Sequence, residues 1–249
     1  MEQQIYHFTL ILTGLANIAM ALWLQRDNHS YTDYPVYQRA RILTMVWLIA
    51  FGIGYLIHAV FQLRTVWPTA ASALSVTYFH IGALCFSWGY TSLLQPDYLS
   101  RKVVVRDLVI IISALIVYWT VPFFHPYAPL YTLFSFCIFF SHAVFIAFKF
   151  YRVYARISFR LIKLSFGSVS GFVKWMQVCC DLIVMFGLVS VAITAIFPTD
   201  MWPFTLLLLT GTGMFGYIAY SLNKYGLVID AATHATTSVC SPRDILYES

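Results

Sequence analysis

Seven runs of apolar residues, almost free of charge, recur along the chain at about 7–25, 43–63, 70–94, 107–124, 129–148, 177–197 and 203–222. Each is close to the roughly 20 residues a helix needs to cross a hydrocarbon core of about 30 Å. A bilayer interior offers no water to the backbone, so each run must satisfy its own N–H and C=O groups, as a helix does. The short alternating strands of an outer-membrane barrel are not seen. The pattern predicts an all-α membrane protein, a seven-transmembrane helix bundle over 1–222 with a short cytoplasmic tail at 223–249.

Charge adds a direction to this pattern. Of the fifteen Lys and Arg residues, only Arg64 falls in the connections after spans two, four and six. The other fourteen lie in the alternate connections and the tail. Basic residues resist translocation, so the rich side is expected in the cytoplasm, with the N-terminus outside and the C-terminus inside. The sequence is 60% hydrophobic and 10% charged, with a mean hydropathy of +0.76, values foreign to a water-soluble domain of 249 residues. The net charge of +5 then reflects anchoring on anionic headgroups, and direct nucleic-acid binding is not expected. The expected location is the cell inner (plasma) membrane, multi-pass. With Glu2 and no Lys or Arg before Arg26, a cleaved signal peptide is not expected.

The outer connections are short and rich in Pro and aromatics (Trp67-Pro68, His125-Pro126-Tyr127, Trp202-Pro203), leaving no external domain to capture a large ligand. The inner side is richer. Lys149, Arg152, Arg156, Arg160 and Lys163 are spaced so that, at about 100° per residue, they share an arc of roughly 80°. Span five is therefore expected to continue over 149–166 as a basic amphipathic extension. The favoured expectation is an anchor on anionic lipid; the alternative is a docking surface for an acidic partner or a phosphorylated ligand.

Candidate chemistry inside the bundle is sparse. Intramembrane polar groups are costly and so are the first place to seek function. His58, His80 and His142 are the candidates to line an internal ligand cavity, with Asp181, taken as the one acid within a span, at its inner mouth. Facing imidazoles can ligate haem or a metal; alternatively each hydrogen-bonds a neighbouring Ser, Thr or Tyr. No His-Glu or Cys-x-x-Cys spacing marks a metal site, and no catalytic residues and no cofactor are assigned. Gly211-x-Gly213-x-x-Gly216 matches the dinucleotide fingerprint in letters, but it lies within a span where no strand precedes it, so helix packing is expected. No carboxylate near mid-membrane supports a proton-coupled transporter.

The stretches Tyr98–Asp107, Val173–Met176, Trp202–Thr205 and Tyr220–Thr233 resemble the N-terminal multi-span module of Bacteroidetes membrane regulators whose cytoplasmic half is an AraC-type helix-turn-helix domain. After span seven about 27 residues remain, too few for such a DNA-binding domain. The resemblance implies a sensor- or receptor-like inner-membrane module that passes a signal to a cytoplasmic protein partner. The alternatives are a membrane redox or metal-dependent enzyme built on the three histidines, and a small transporter. Membrane lipids are the other expected partner, and homo-oligomerisation is left open.

Overall fold

A computed structural model describes residues 1–26, 28–120, 128–165, 170–197 and 200–239. Seven helices in it are long and apolar enough to cross a membrane. They are α1 (Glu2–Arg26), α2 (Pro35–Phe61), α3 (Pro68–Leu94), α4 (Arg101–Thr120), α5 (Ala128–Ser165), α6 (Ser170–Ile196) and α7 (Met201–Val239). Among the described residues no strand occurs. The expected connections at 125–127 and 198–199, Gly167, Cys240 and the last ten residues lie outside the described residues.

Local chemistry places the breaks. Pro35 and Pro68 open α2 and α3, where a missing N–H costs nothing and the fixed φ suits the helix. Gln62 ends α2 in the left-handed region at φ 48°, the one non-glycine residue among those described with positive φ. Its N–H turns back to the carbonyls of His58 and Ala59, which satisfies orphan acceptors of the last turn. A single helical turn, Leu63–Val66, then folds Arg64 under the bundle. α5 runs unbroken from Ala128 through the basic segment, and α7 stays helical to Val239, well into the stretch expected to be a tail.

α2 and α3 form the centre, with 56% and 61% of their most apolar stretches buried. α4 and α6 are peripheral, at 22% each. α1 packs on α2 and α7; α3 packs on α2 and α5, with α4 laid outside the α3–α5 seam. Gly14 and Gly52 bring α1 and α2 together: a Cβ on Gly52 would lie 2.9 Å from the Gly14 carbonyl oxygen and 2.6 Å from Ile18. Of the three glycines in the α7 stretch, Gly211 and Gly216 lie at helix contacts, whereas a Cβ on Gly213 would meet nothing within 4 Å. A Cβ on Gly211 would meet the Phe186 ring of α6 at 2.6 Å, and one on Gly216 would meet Met20 of α1 at 3.4 Å.

An aromatic spine fills the middle. Phe51 sits 4.7 Å from Phe215 and 4.8 Å from Tyr78, and Trp47 sits 4.8 Å from Phe215, ring centre to ring centre, mostly edge to face. Such geometry sets the positive ring edge against the negative face of its neighbour. The outer surface is the reverse of a soluble protein's. Leu15, Leu22, Ile53, Ile116, Phe148 and Leu206 are all more than 45% exposed. In water such a belt would aggregate; against lipid tails it costs nothing. The chain is a multi-pass membrane protein.

α7 is tied at its first turn and again at Asn223. At the charge-poor end, Glu2 Oε1 accepts from the Met201 and Trp202 backbone N–H groups at 3.1 Å each, so the first turn of α1 caps the first turn of α7. A carboxylate there also suits the positive end of the helix dipole.

Candidate functional site

The candidate histidines divide into two groups. His80 of α3 and His142 of α5 meet directly, with His80 Nε2 2.6 Å from His142 Nδ1, and His80 Nδ1 lies 3.0 Å from the Tyr118 hydroxyl of α4. All three side chains are buried. The chain Tyr118–His80–His142 thus stitches α4, α3 and α5, and it ends in His142 Nε2, a buried nitrogen without a partner. A shared proton fits the 2.6 Å gap. Two bonds of about 2.0–2.1 Å to one zinc at tetrahedral angle would need the nitrogens roughly 3.3 Å apart, and axial ligation of a haem iron needs a wider gap still. Among the described residues no three His, Cys, Asp or Glu side chains are grouped to hold a metal ion.

His58 stands apart at the charge-poor end. Its Nε2 is 3.3 Å from Ser75 Oγ, which also accepts from the Tyr78 hydroxyl at 3.2 Å. Around it lie Tyr6 and Arg64, lining voids of about 10 and 20 Å³, room for about one water each. Arg64 is itself buried: its Nε donates to the Tyr6 hydroxyl at 3.3 Å and its guanidinium lies 3.4 Å from the Phe204 ring centre. Among the described residues, His58 makes no hydrogen bond or ring contact with His80 or His142.

Asp181 joins neither group. It is half-buried and accepts a hydrogen bond from the Tyr151 hydroxyl of α5. It is also not the sole acid in a span. Asp107, which opens the fourth apolar run, is fully buried in α4, held by Arg106 Nε at 2.8 Å and Arg106 Nη2 at 2.7 Å, while Trp88 Nε1 donates to its other oxygen at 2.9 Å. An adjacent arginine supplies the counter-charge, which is why the acid can sit inside.

Sequence reasoning missed a cavity walled by aromatic rings. A cavity of about 330 Å³ lies between α2, α3, α5, α6 and α7. Trp47, Phe51, Phe79, Phe86, Phe139, Phe186 and Phe215 wall it, with Gly82 and Gly187 leaving room between rings. Its lining reaches Phe140 and Phe148 of α5 and Leu188 of α6, all exposed on the lipid-facing surface, so it opens sideways between those helices. Among its lining side chains only Trp47, Tyr151 and Cys180 carry a nitrogen, oxygen or sulfur atom. The volume falls within the range of about 300–1,000 Å³ typical of small-molecule pockets. Water needs two to four polar partners and finds few here, so hydrocarbon is the fitting occupant. The signal in the sequence was the aromatic content of five helices, which carries no periodicity of its own.

A second missed feature is the charge at the basic end. Arg41 is completely buried. Its Nη1 donates to Asn223 Oδ1 at 2.8 Å and to the Tyr37 hydroxyl at 3.1 Å, and its Nη2 donates to the Leu24 carbonyl. The Tyr37 hydroxyl passes its own proton to the Leu222 carbonyl at 2.9 Å, and the Tyr31 ring centre lies 4.9 Å from the guanidinium. Gly226 makes this possible, since a Cβ there would fall 2.1 Å from the Tyr37 oxygen. Arg39 and Arg41 are two apart, about 200° around a helix, and so lie on opposite sides of α2.

The basic residues of α5 behave differently. Arg152, Arg156, Arg160 and Lys163 are exposed and Lys149 is half-buried. Among the described residues no carboxylate forms an ion pair with any of them.

Compared with known proteins, the chain matches no family profile, no curated sequence and no solved structure. Of the resemblance to membrane regulators, what stands is the helical, multi-span character.

Replacing Arg41 tests the basic-end cluster. Arg41→Gln should lower stability by about 1.5–3 kcal/mol, the scale of hydrogen bonds to a charged group, and Tyr37→Phe by about 0.5–1.5 kcal/mol. Unfolding in a common detergent measures both. A glutamine variant as stable as wild type would show that the guanidinium contributes nothing.

Proposed function

We propose that this chain is a receptor-like module of the inner membrane that takes an apolar molecule from the bilayer and reports its presence to a cytoplasmic protein. The observation that carries this reading is the 330 Å³ aromatic cavity with its opening between α5 and α6. Lipid tails are as apolar as leucine, so transfer from the bilayer gains little from the hydrophobic effect. Affinity has to come from close dispersion contact with the ring walls and from a preformed shape. The occupant is therefore a molecule of defined shape, mostly hydrocarbon, with at most one polar group to meet Tyr151.

A route to the basic end is at hand. Phe215 of α7 lines the cavity, and eight residues further along the same helix Asn223 accepts from Arg41. The partition of Lys and Arg supports a cytoplasmic location for that end. The resemblance to the membrane half of AraC-type regulators supports a protein as the recipient of the signal.

Trp47 gives the cavity a built-in probe. A bromoalkane that enters should quench a component of the tryptophan fluorescence that Trp47→Phe lacks. Gly187→Leu, which projects into the cavity, should weaken the quenching by roughly 1–3 kcal/mol, the cost of overpacking. Quenching that survives in both variants would place the quencher elsewhere and remove the basis for the reading.

Orientation is tested separately. Reporter fusions near positions 30, 100 and 168 should report the cytoplasm and those near 66, 126 and 200 the outside. A cytoplasmic signal at 126 would reverse the assignment.

A further inference from the structure

The face of α5 turned away from the aromatic cavity carries a second crevice, shared with α4. Ile110 of α4 and Phe134, Cys137 and Ile138 of α5 form its apolar length, and His142 and Phe145 lie at its basic end beside Arg106. The Phe145 ring organises that end. The Arg106 guanidinium lies 5.0 Å from its centre, Lys149 Nζ lies 5.4 Å from it, and the His142 ring stacks on it at 6.4 Å.

Two observations point to a ligand. The first is charge. Arg106 and the buried Asp107 neutralise one another, and Lys149 leaves one net positive charge at the mouth of an apolar slot. The second is the orphan His142 Nε2. His142 Nδ1 is turned inward to His80, and Nε2 is enclosed beside the crevice that His142 lines. When the Tyr118 hydroxyl donates to His80 and His80 Nε2–H donates to His142, Nε2 of His142 carries the hydrogen and is a donor without an acceptor. Leaving it so costs about 1–3 kcal/mol.

We propose that this crevice binds one anionic glycerophospholipid from the leaflet at the basic end. The phosphate sits against Lys149 and the remaining N–H groups of Arg106. One glycerol unit deeper, an ester carbonyl accepts from His142 Nε2–H. An acyl chain then lies along Ile110, Cys137 and Phe134 toward the other leaflet. A phosphodiester with a neutral headgroup matches the single net charge, whereas the cationic headgroup of a zwitterionic lipid is repelled by it. The site is distinct from the exposed stripe at Arg152, Arg156, Arg160 and Lys163, and it does not rest on the receptor reading, because the two slots lie on opposite faces of α5.

Native mass spectrometry of the full chain in detergent tests this with phosphatidylglycerol and phosphatidylcholine of matched chains. Phosphatidylglycerol should stay bound where phosphatidylcholine is stripped, and Lys149→Gln should lower its occupancy about tenfold, the effect of about 1.4 kcal/mol. The double variant Arg156→Gln, Arg160→Gln should leave occupancy unchanged. Lys149 is only half-buried, and its variant should unfold as wild type does. Cys137, a free and exposed thiol in the slot, provides a second readout: in a Cys240→Ser background phosphatidylglycerol should slow its alkylation several-fold, and phosphatidylcholine should not. Equal retention of the two lipids, retention indifferent to Lys149, loss only in the double variant, or a Cys137 rate unaffected by lipid would each overturn the proposal.

Discussion

A permanent positive charge enclosed in an apolar bundle must be met by other groups, and at the basic end it is met without a carboxylate. Arg41 instead takes the Leu24 carbonyl from the last turn of α1, the Tyr37 hydroxyl from its own helix and the Asn223 side chain from α7. Helix C-termini carry unsatisfied carbonyls and the negative end of the dipole, so the end of α1 is a natural seat for a guanidinium. Its fork geometry lets one residue serve several acceptors at once. Removing it would leave the Leu24 carbonyl and the Asn223 amide oxygen without a partner. Arg41 therefore joins α1, α2 and α7 at this end, and the Tyr37–Leu222 hydrogen bond adds a second tie between α2 and α7. Tyr225 and Trp175, whose rings lie 5.3 Å apart, extend the same cluster to α6.

α7 is tied by Glu2 at its first turn and by Arg41 at Asn223, and the stretch between these ties faces the cavity. That stretch carries Phe215, in contact with both Trp47 and Phe51 at the cavity wall. Packed cores are bistable rather than smoothly deformable, which is the physical basis of the proposed link between ring packing and helix position. α5 has a comparable position between two solvents. One face borders the aromatic cavity and the other the crevice with α4, while its basic extension reaches beyond both.

The helical architecture was legible because the bilayer enforces it: about 20 apolar residues per crossing and an internally satisfied backbone leave few alternatives. Packing was legible only where the residue type admits one role. Gly211 and Gly216 could be read as contact points, since a glycine in a membrane helix has little else to offer. The site was less legible. His80 and His142 are 62 residues apart, and nothing in either segment states that they meet while His58 does not. Asp107, the first residue of the fourth apolar run, was passed over in favour of Asp181, although Arg106 beside it supplies its counter-charge. The cavity could not be read at all, for it is a space left between five helices and depends on rotamers of Phe and Trp rather than on any motif. Arg41 was counted as one inside charge among fourteen, because its burial arises only where α1 and α7 pack against it.

The central claim is that filling the aromatic cavity alters the docking of α7 at the Arg41 cluster. Hydrogen exchange of the backbone amides from Leu222 to Ile229 measures that docking directly in the intact chain in nanodiscs. Saturation with a cavity-filling bromoalkane should change the exchange rates of these amides several-fold in the wild type and leave them unchanged in Gly187→Leu, whose cavity is already occupied. Identical exchange with and without the bromoalkane, under conditions where Trp47 is quenched, would contradict the claim and leave the cavity a lipid-filled void with no link to the basic end.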